Sequence, residues 1–123
     1  MYKLNLKKDF VAQHYLTVPD CGPENEWHSH HFEVEVILRG DDLNEHGYLI
    51  DIVDLESAIA SLVDRYRDTT LNDLPEFDGL NPSIEHFSRI FWKNLHDRLS
   101  VESFDGMTVR IWEDDEAWAS YSE

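Results

Sequence analysis

One cysteine, Cys21, is all the thiol chemistry in this sequence, which excludes an internal disulfide and points to a reducing compartment. No apolar run approaches the roughly 20 residues that span a bilayer, and the N-terminus lacks a signal-peptide pattern, so a cytoplasmic protein is expected. Basic residues are scarce: ten Lys and Arg stand against 26 Asp and Glu, a formal charge of −16 at pH 7. Such a field repels nucleic acid and anionic membranes, and excludes both as partners. It also opposes anionic substrates unless a bound metal concentrates positive charge locally. The same acidity reads equally as solvated surface suited to a saline cytoplasm. The 123 residues contain no low-complexity tract or visible repeat, and their length suits one domain, 1–123, with its own core.

What is present centres on Trp27-His28-Ser29-His30-His31-Phe32-Glu33-Val34-Glu35-Val36-Ile37-Leu38. From Phe32 apolar and acidic residues alternate, the pattern of a strand with one covered and one wet face. Successive strand side chains point to opposite faces, so His28 and His30 share one face and His31 takes the other. Two imidazoles about 7 Å apart along a strand can converge on one ion. With His14 from a neighbouring strand they make a three-histidine set that leaves a tetrahedral Zn²⁺ one open position. By itself a bare H-x-H pattern is read equally as a histidine cluster without metal.

Along the chain, residues 2–8 alternate and read as a first strand that can continue to His14. Thr17–Glu26 is a loop, and the histidine strand runs to about Arg39. Gly40–Gly47 is turn chemistry, and Tyr48–Ile50 reads as a short extended piece. Asp51 is the expected cap of a helix whose stripe is Val53, Leu55, Ile59, Leu62, Val63 and Tyr66. Asp68–Leu80 returns to loop. Asn81 as cap and Pro82 as first helical residue are expected to open a second helix, with Ile84, Phe87, Phe91, Leu95 and Leu99 at helical spacing. Met107, Val109 and Ile111 alternate with Thr108, Arg110 and Trp112 in a third strand, and Ala117–Tyr121 returns as a fourth. The expected architecture is α+β: a four-stranded antiparallel sheet with two helices on one face, in the order ββααββ. Open sheet edges make a homo-oligomer the natural expectation.

In this order the residues resemble the 6-pyruvoyl- and 6-carboxy-tetrahydropterin synthase family, which adopts the tunnelling fold. Phe10-Val11-Ala12-Gln13-His14 resembles its F-x-A-x-H, and Cys21 lies in the loop of its acid-base or nucleophilic cysteine. His28-Ser29-His30 resembles H-G-H, and Gly47–Ile52 its G-x-(V/I)-x-D-F. Leu71-Asn72-Asp73 resembles L-N-D, and Asn81–Glu85 resembles N-P-T-x-E. Val109–Glu113 resembles the strand ending in the pterin-anchoring glutamate.

The resemblance implies a lyase acting on the side chain of dihydroneopterin triphosphate or a related pterin. It further implies Zn²⁺ on His14, His28 and His30, and a trimer or hexamer of the chain. It places Cys21 and Asp68 in proton transfer, Glu113 on the ring's 2-amino and N3–H edge, and Ser83 and Glu85 in the pterin pocket. Other readings stay open: Glu113 as a solvated acid, Ser83 and Glu85 as helix-terminal electrostatics, Cys21 as a loop filler or fourth ligand. The sequence departs from the family where an Asp-His pair is expected, since threonine stands at Thr69. A hydroxyl without a pKa near 7 does not replace an imidazole as general base. Hence the alternative is a tunnelling-fold protein that binds zinc and a pterin or purine without turnover. His31, His46 and His86 are the remaining candidates for a relay. Lys7, Lys8, Arg65 and Arg67 are the nearby cations for a triphosphate, and each reads equally as solvated surface, so a less charged pterin suits the acidic chain better.

Overall fold

The computed structural model describes residues 1–99 and 104–123. The alternating N-terminal segment forms one long strand, β1 (Tyr2–His14), which runs the whole way to the histidine. It pairs antiparallel with β2 (His28–Gly40), Tyr2 opposite Gly40 and His14 opposite His28. β3 (Gly106–Trp112) pairs with β2, and β4 (Trp118–Ser122) with β3, giving the sheet order β1-β2-β3-β4. Helices α1 (Ile52–Tyr66) and α2 (Ile84–Arg98) pack on one face, so the chain order is ββααββ.

The pleat sorts the sheet. Phe10, Ala12, Phe32, Val34, Val36, Leu38, Met107, Val109 and Ile111 are buried on the helix side. Leu55, Ile59, Leu62, Val63 and Tyr66 from α1 meet them, with Phe87, Phe91 and Leu95 from α2. Each Val, Leu, Ile, Phe or Met side chain among them contributes about 1.5–3 kcal/mol of burial. Phe87 is the hub, its ring within 5.1–6.3 Å of those of Phe10, Phe32, Tyr66, Phe77 and Phe91. The opposite face is polar. Lys7 pairs with Glu33 at 2.9 Å, and Arg110 lies 2.9 Å from buried Glu35 without hydrogen-bond alignment.

Four local expectations are corrected. Val53 is not on the buried stripe; it is 67% exposed in the first turn of α1, whose cap is Asp51 through its bond from the Val53 N–H. Tyr48–Ile50 is not strand: Leu49 and Ile50 form a bend, because Asn44 gathers the His46 and Tyr48 amides on its side chain and closes a loop just before it. The 68–80 stretch is not plain loop. It holds two 3₁₀ turns, Leu71–Asp73 and Pro75–Phe77, which bury Leu71 and Phe77.

Finally, α2 opens two residues later than expected. Ser83 is the cap, its Oγ accepting the His86 N–H at 3.1 Å. Asn81 instead accepts the Thr17 N–H on its side chain and the His86 ring on its carbonyl. Those two bonds pull Asn81 out of capping position.

Candidate metal centre

The register that puts His14 opposite His28 decides the site, because His14, His28 and His30 then share the helix-facing side at one end of the sheet. Their ring centroids are 4.6, 5.0 and 4.7 Å apart. Each of two rings is oriented by a backbone carbonyl: His14 Nδ1 lies 3.0 Å from Pro82 O, and His28 Nδ1 lies 2.7 Å from Glu26 O. A carbonyl only accepts, so both Nδ1 atoms carry the hydrogen and both Nε2 lone pairs point inward. His28 Nε2 is 3.0 Å from His30 Nε2.

Glu24 completes the set. Its Oε2 stands 3.1 Å from His28 Nε2, and one ligand atom from each of His14, Glu24, His28 and His30 lies within 4.8 Å of all the others. The residue is brought there by a 3₁₀ turn, Gly22–Asn25, folded in the loop before β2. Asn25 secures that turn, donating to Leu16 O and Val18 O and accepting the Cys21 N–H.

These donors fit a zinc-like ion. Ligand atoms about 2.0–2.1 Å from a tetrahedral ion stand roughly 3.3 Å from one another, close to the 3.0 and 3.1 Å contacts seen. His14 Nε2 is buried and has no hydrogen-bond partner among the described residues, a cost that a cation removes. Burial holds the His14 pKa down to about 4, so the ring is neutral and ligand-competent at pH 7.

The expected site residues divide around this centre. Glu113, just past β3, reaches within 4.0 Å of His30 Nε2 and is half-buried. Ser83 and Glu85 sit at the start of α2, one and three residues beyond Pro82, whose carbonyl holds His14. The Ser83 oxygen is occupied as a cap, and Glu85 is exposed. Cys21 is half-exposed at the head of the 3₁₀ turn, and its sulfur is outside the four-atom group.

Asp68 is exposed, held at φ 54° by its N–H to Val11 O. Thr69 donates its hydroxyl towards the Arg65 and Arg67 carbonyls, and its own carbonyl takes the Gln13 N–H. His31 faces the other side of the sheet and meets Asp9 at 2.7 Å. His86 is fixed by Asn81 O, and His46 is exposed beside Glu45.

Sequence reading overlooked Glu24. The signal was its i, i+4 spacing to His28, which only the short turn converts into proximity.

A profile of the family described as 6-pyruvoyl tetrahydropterin synthase matches residues 3–123. Among solved structures, the Caenorhabditis elegans 6-pyruvoyl tetrahydropterin synthase superposes with a TM-score of 0.85 at 20% identity, over 99% of this chain and 95% of that one. The Plasmodium vivax synthase gives 0.84 at 15% identity, over 99% and 97%. A variant of the P. vivax protein, in which a glutamate described as a catalytic residue is replaced by alanine, gives 0.82 at 17%, over 99% and 97%. At these identities the likeness establishes the tunnelling fold.

Proposed function

This chain belongs to the 6-pyruvoyl tetrahydropterin synthase family, and on that premise we propose that it is a zinc-dependent lyase acting on the side chain of a reduced pterin. The observation that carries the reading is the convergence of three histidines and Glu24 on one point, with Glu113 beside it. In this reading His14, His28 and His30 hold Zn²⁺, which when bound acts as a Lewis acid toward side-chain oxygens. The Glu113 carboxylate accepts the two parallel N–H bonds of the ring's 2-amino and N3–H edge. In this reading Ser83 and Glu85 border the same space from the start of α2.

Proton transfer falls to Glu24, with Cys21 second. Glu24 is in contact with the histidine set, whereas the Asp68 carboxylate makes no side-chain hydrogen bond among the described residues. The P. vivax protein, where a glutamate is described as catalytic, lends support to a carboxylate in that role. The pterin is the small-molecule partner. In this reading the chain assembles into a homo-oligomer through the β4 edge and the part of the β1 edge that the 68–70 segment leaves uncovered.

The second reading, a protein that binds zinc and pterin without turnover, rests on Thr69. Its hydroxyl is tied to carbonyls and offers no imidazole chemistry.

Metal analysis and turnover of dihydroneopterin and its triphosphate decide between them. We expect about one zinc per chain, turnover reduced by about 100-fold in Glu24→Gln, and a smaller loss in Cys21→Ala. Fewer than about 0.2 zinc per folded chain overturns the metal assignment. Pterin binding with no product for either substrate selects the binder. A larger loss in Cys21→Ala returns proton transfer to the thiol.

A further inference from the structure

We propose that Glu24 is the fourth ligand of the metal centre, positioned there by Asn25, so that side chains alone close the site before substrate arrives; the inference rests on the zinc reading above. The sequence leaves the fourth position open or gives it to Cys21, and the structure brings two carboxylates near it. Glu24 Oε2 stands 3.1 Å from His28 Nε2, and Glu24 belongs to the group whose ligand atoms all lie within 4.8 Å of one another. Glu113 Oε1 is 4.0 Å from His30 Nε2 and falls outside that group, as does the Cys21 sulfur. Neighbouring ligands on a tetrahedral ion are roughly 3.3 Å apart, a spacing that Glu24 meets and Glu113 exceeds. Charge favours the same residue. Three neutral imidazoles leave a dication uncompensated beside buried His14, and a carboxylate in contact with it offsets part of that charge.

Glu24 is not a surface acid that drifts over the site. Its backbone is tied to the chain just beyond β1, because the Leu16 N–H, two residues past His14, donates to Glu24 O at 2.8 Å. Downstream, Glu26 O takes the His28 Nδ1–H at 2.7 Å. The short run 24–28 therefore supplies a ligand, the carbonyl that orients a second ligand, and that second ligand itself. A carboxylate bound to a cation is held in its charged form, so the proton-transfer role of Glu24 begins only once it is displaced.

Asn25 sets the place of this run. The Gly22–Asn25 turn buries no side chain, so hydrogen bonds rather than apolar packing hold it. Asn25 is exposed, and its carboxamide is nevertheless fully engaged with loop backbone. Its Nδ2 donates to Leu16 O at 3.0 Å and to Val18 O at 2.8 Å, and its Oδ1 accepts the Cys21 N–H at 3.0 Å. Those bonds need two donors and one acceptor on one short side chain, which a carboxamide provides. Aspartate has the same shape and no donor, so Asn25→Asp sets a carboxylate against two carbonyls. Among the described residues Asn25 makes no hydrogen bond to the three histidines, and it acts through Glu24.

The test is zinc affinity by chelator competition in the wild-type chain, Glu24→Gln, Asn25→Asp and the double variant, with circular dichroism as the control for folding. We expect zinc to bind at least about tenfold more weakly in each single variant. No further loss is expected in the double variant, because Asn25 has nothing left to position once Glu24 is gone. Asn25→Ala repeats the cycle without the added charge and is expected to give the same result. Zinc affinity within about twofold of wild type in Glu24→Gln overturns the ligand assignment and leaves the three-histidine zinc reading standing. Losses that add in full in the double variant overturn the positioning role. A wild-type chain that binds no zinc overturns both the proposal and the reading beneath it.

Discussion

At the scale of single residues, the metal centre is built by orientation as much as by identity. His14 is fully buried, and its Nδ1–H is spent on Pro82 O. What remains is one lone pair with no other partner among the described residues. His30 is half-exposed and carries less of the fold, which makes His30→Ala the cleaner probe. Bound zinc is expected to fall from about one to below about 0.2 per chain in that variant, read by metal analysis, with its circular dichroism retained. Full zinc content in His30→Ala removes this histidine from the ligand set. Glu24 shows the limit of residue-level reading. Its spacing of four residues to His28 becomes a contact only once the Gly22–Asn25 turn aims the side chain.

At the scale of elements, one polar network ties both helices to the Pro75–Phe77 turn. Arg65 near the end of α1 grips Glu76 through two bonds at 2.7 and 2.6 Å. The Tyr66 hydroxyl donates to Glu76 at 3.0 Å and accepts from Asn94 of α2 at 2.8 Å. The Arg65 guanidinium holds the Glu76 pKa down to about 2, from a model-peptide value of 4.5. A depressed carboxylate pKa stabilises the fold above the unfolded value and loses that contribution as pH falls through the folded one. The loss therefore spans roughly pH 4.5 down to 2. The shift corresponds to about 3 kcal/mol, reduced to about 1–2 kcal/mol because Arg65 is 40% exposed. Glu76→Gln is expected to lower stability by that amount at pH 7, and to flatten the acid limb of a denaturant-midpoint profile. An unchanged acid limb would mean the pair contributes nothing.

The element scale also separates readable from unreadable detail. The Asp51 cap of α1 was legible because aspartate before an apolar stripe is a local signal. The cap of α2 was not. Asn81 is as good a cap as Ser83 by type, but a bond from Thr17 across the loop takes its side chain. Val53 fits a helical stripe by spacing and is exposed all the same, because α1 meets the sheet only from Leu55 onward.

At the scale of the whole molecule, charge dominates. A net −16 on 14.5 kDa repels itself, and screening relieves that repulsion. Raising NaCl from about 0.02 M to about 0.5 M is expected to raise Tm by about 4 °C or more, followed by differential scanning calorimetry. A falling Tm would show that the ion pairs of the polar sheet face outweigh the repulsion. The β1 edge is partly sheathed, since the 68–70 segment bonds to Val11 and Gln13. The remainder of that edge is the surface on which the proposed oligomer depends, and native mass spectrometry reads its subunit number directly.

The sequence by itself determined the layer design, since period-two and period-3.6 patterns are local and survive any packing. It also determined that His28 and His30 share a face, because parity within one strand follows from counting. Only the tertiary structure decided that β1 and β2 align with His14 against His28. It alone decided that Pro82 and Glu26 turn the rings inward, and that Glu24 joins them. Those facts depend on register and on backbone carbonyls far away in sequence, and no run of neighbouring residues encodes a distance between segments.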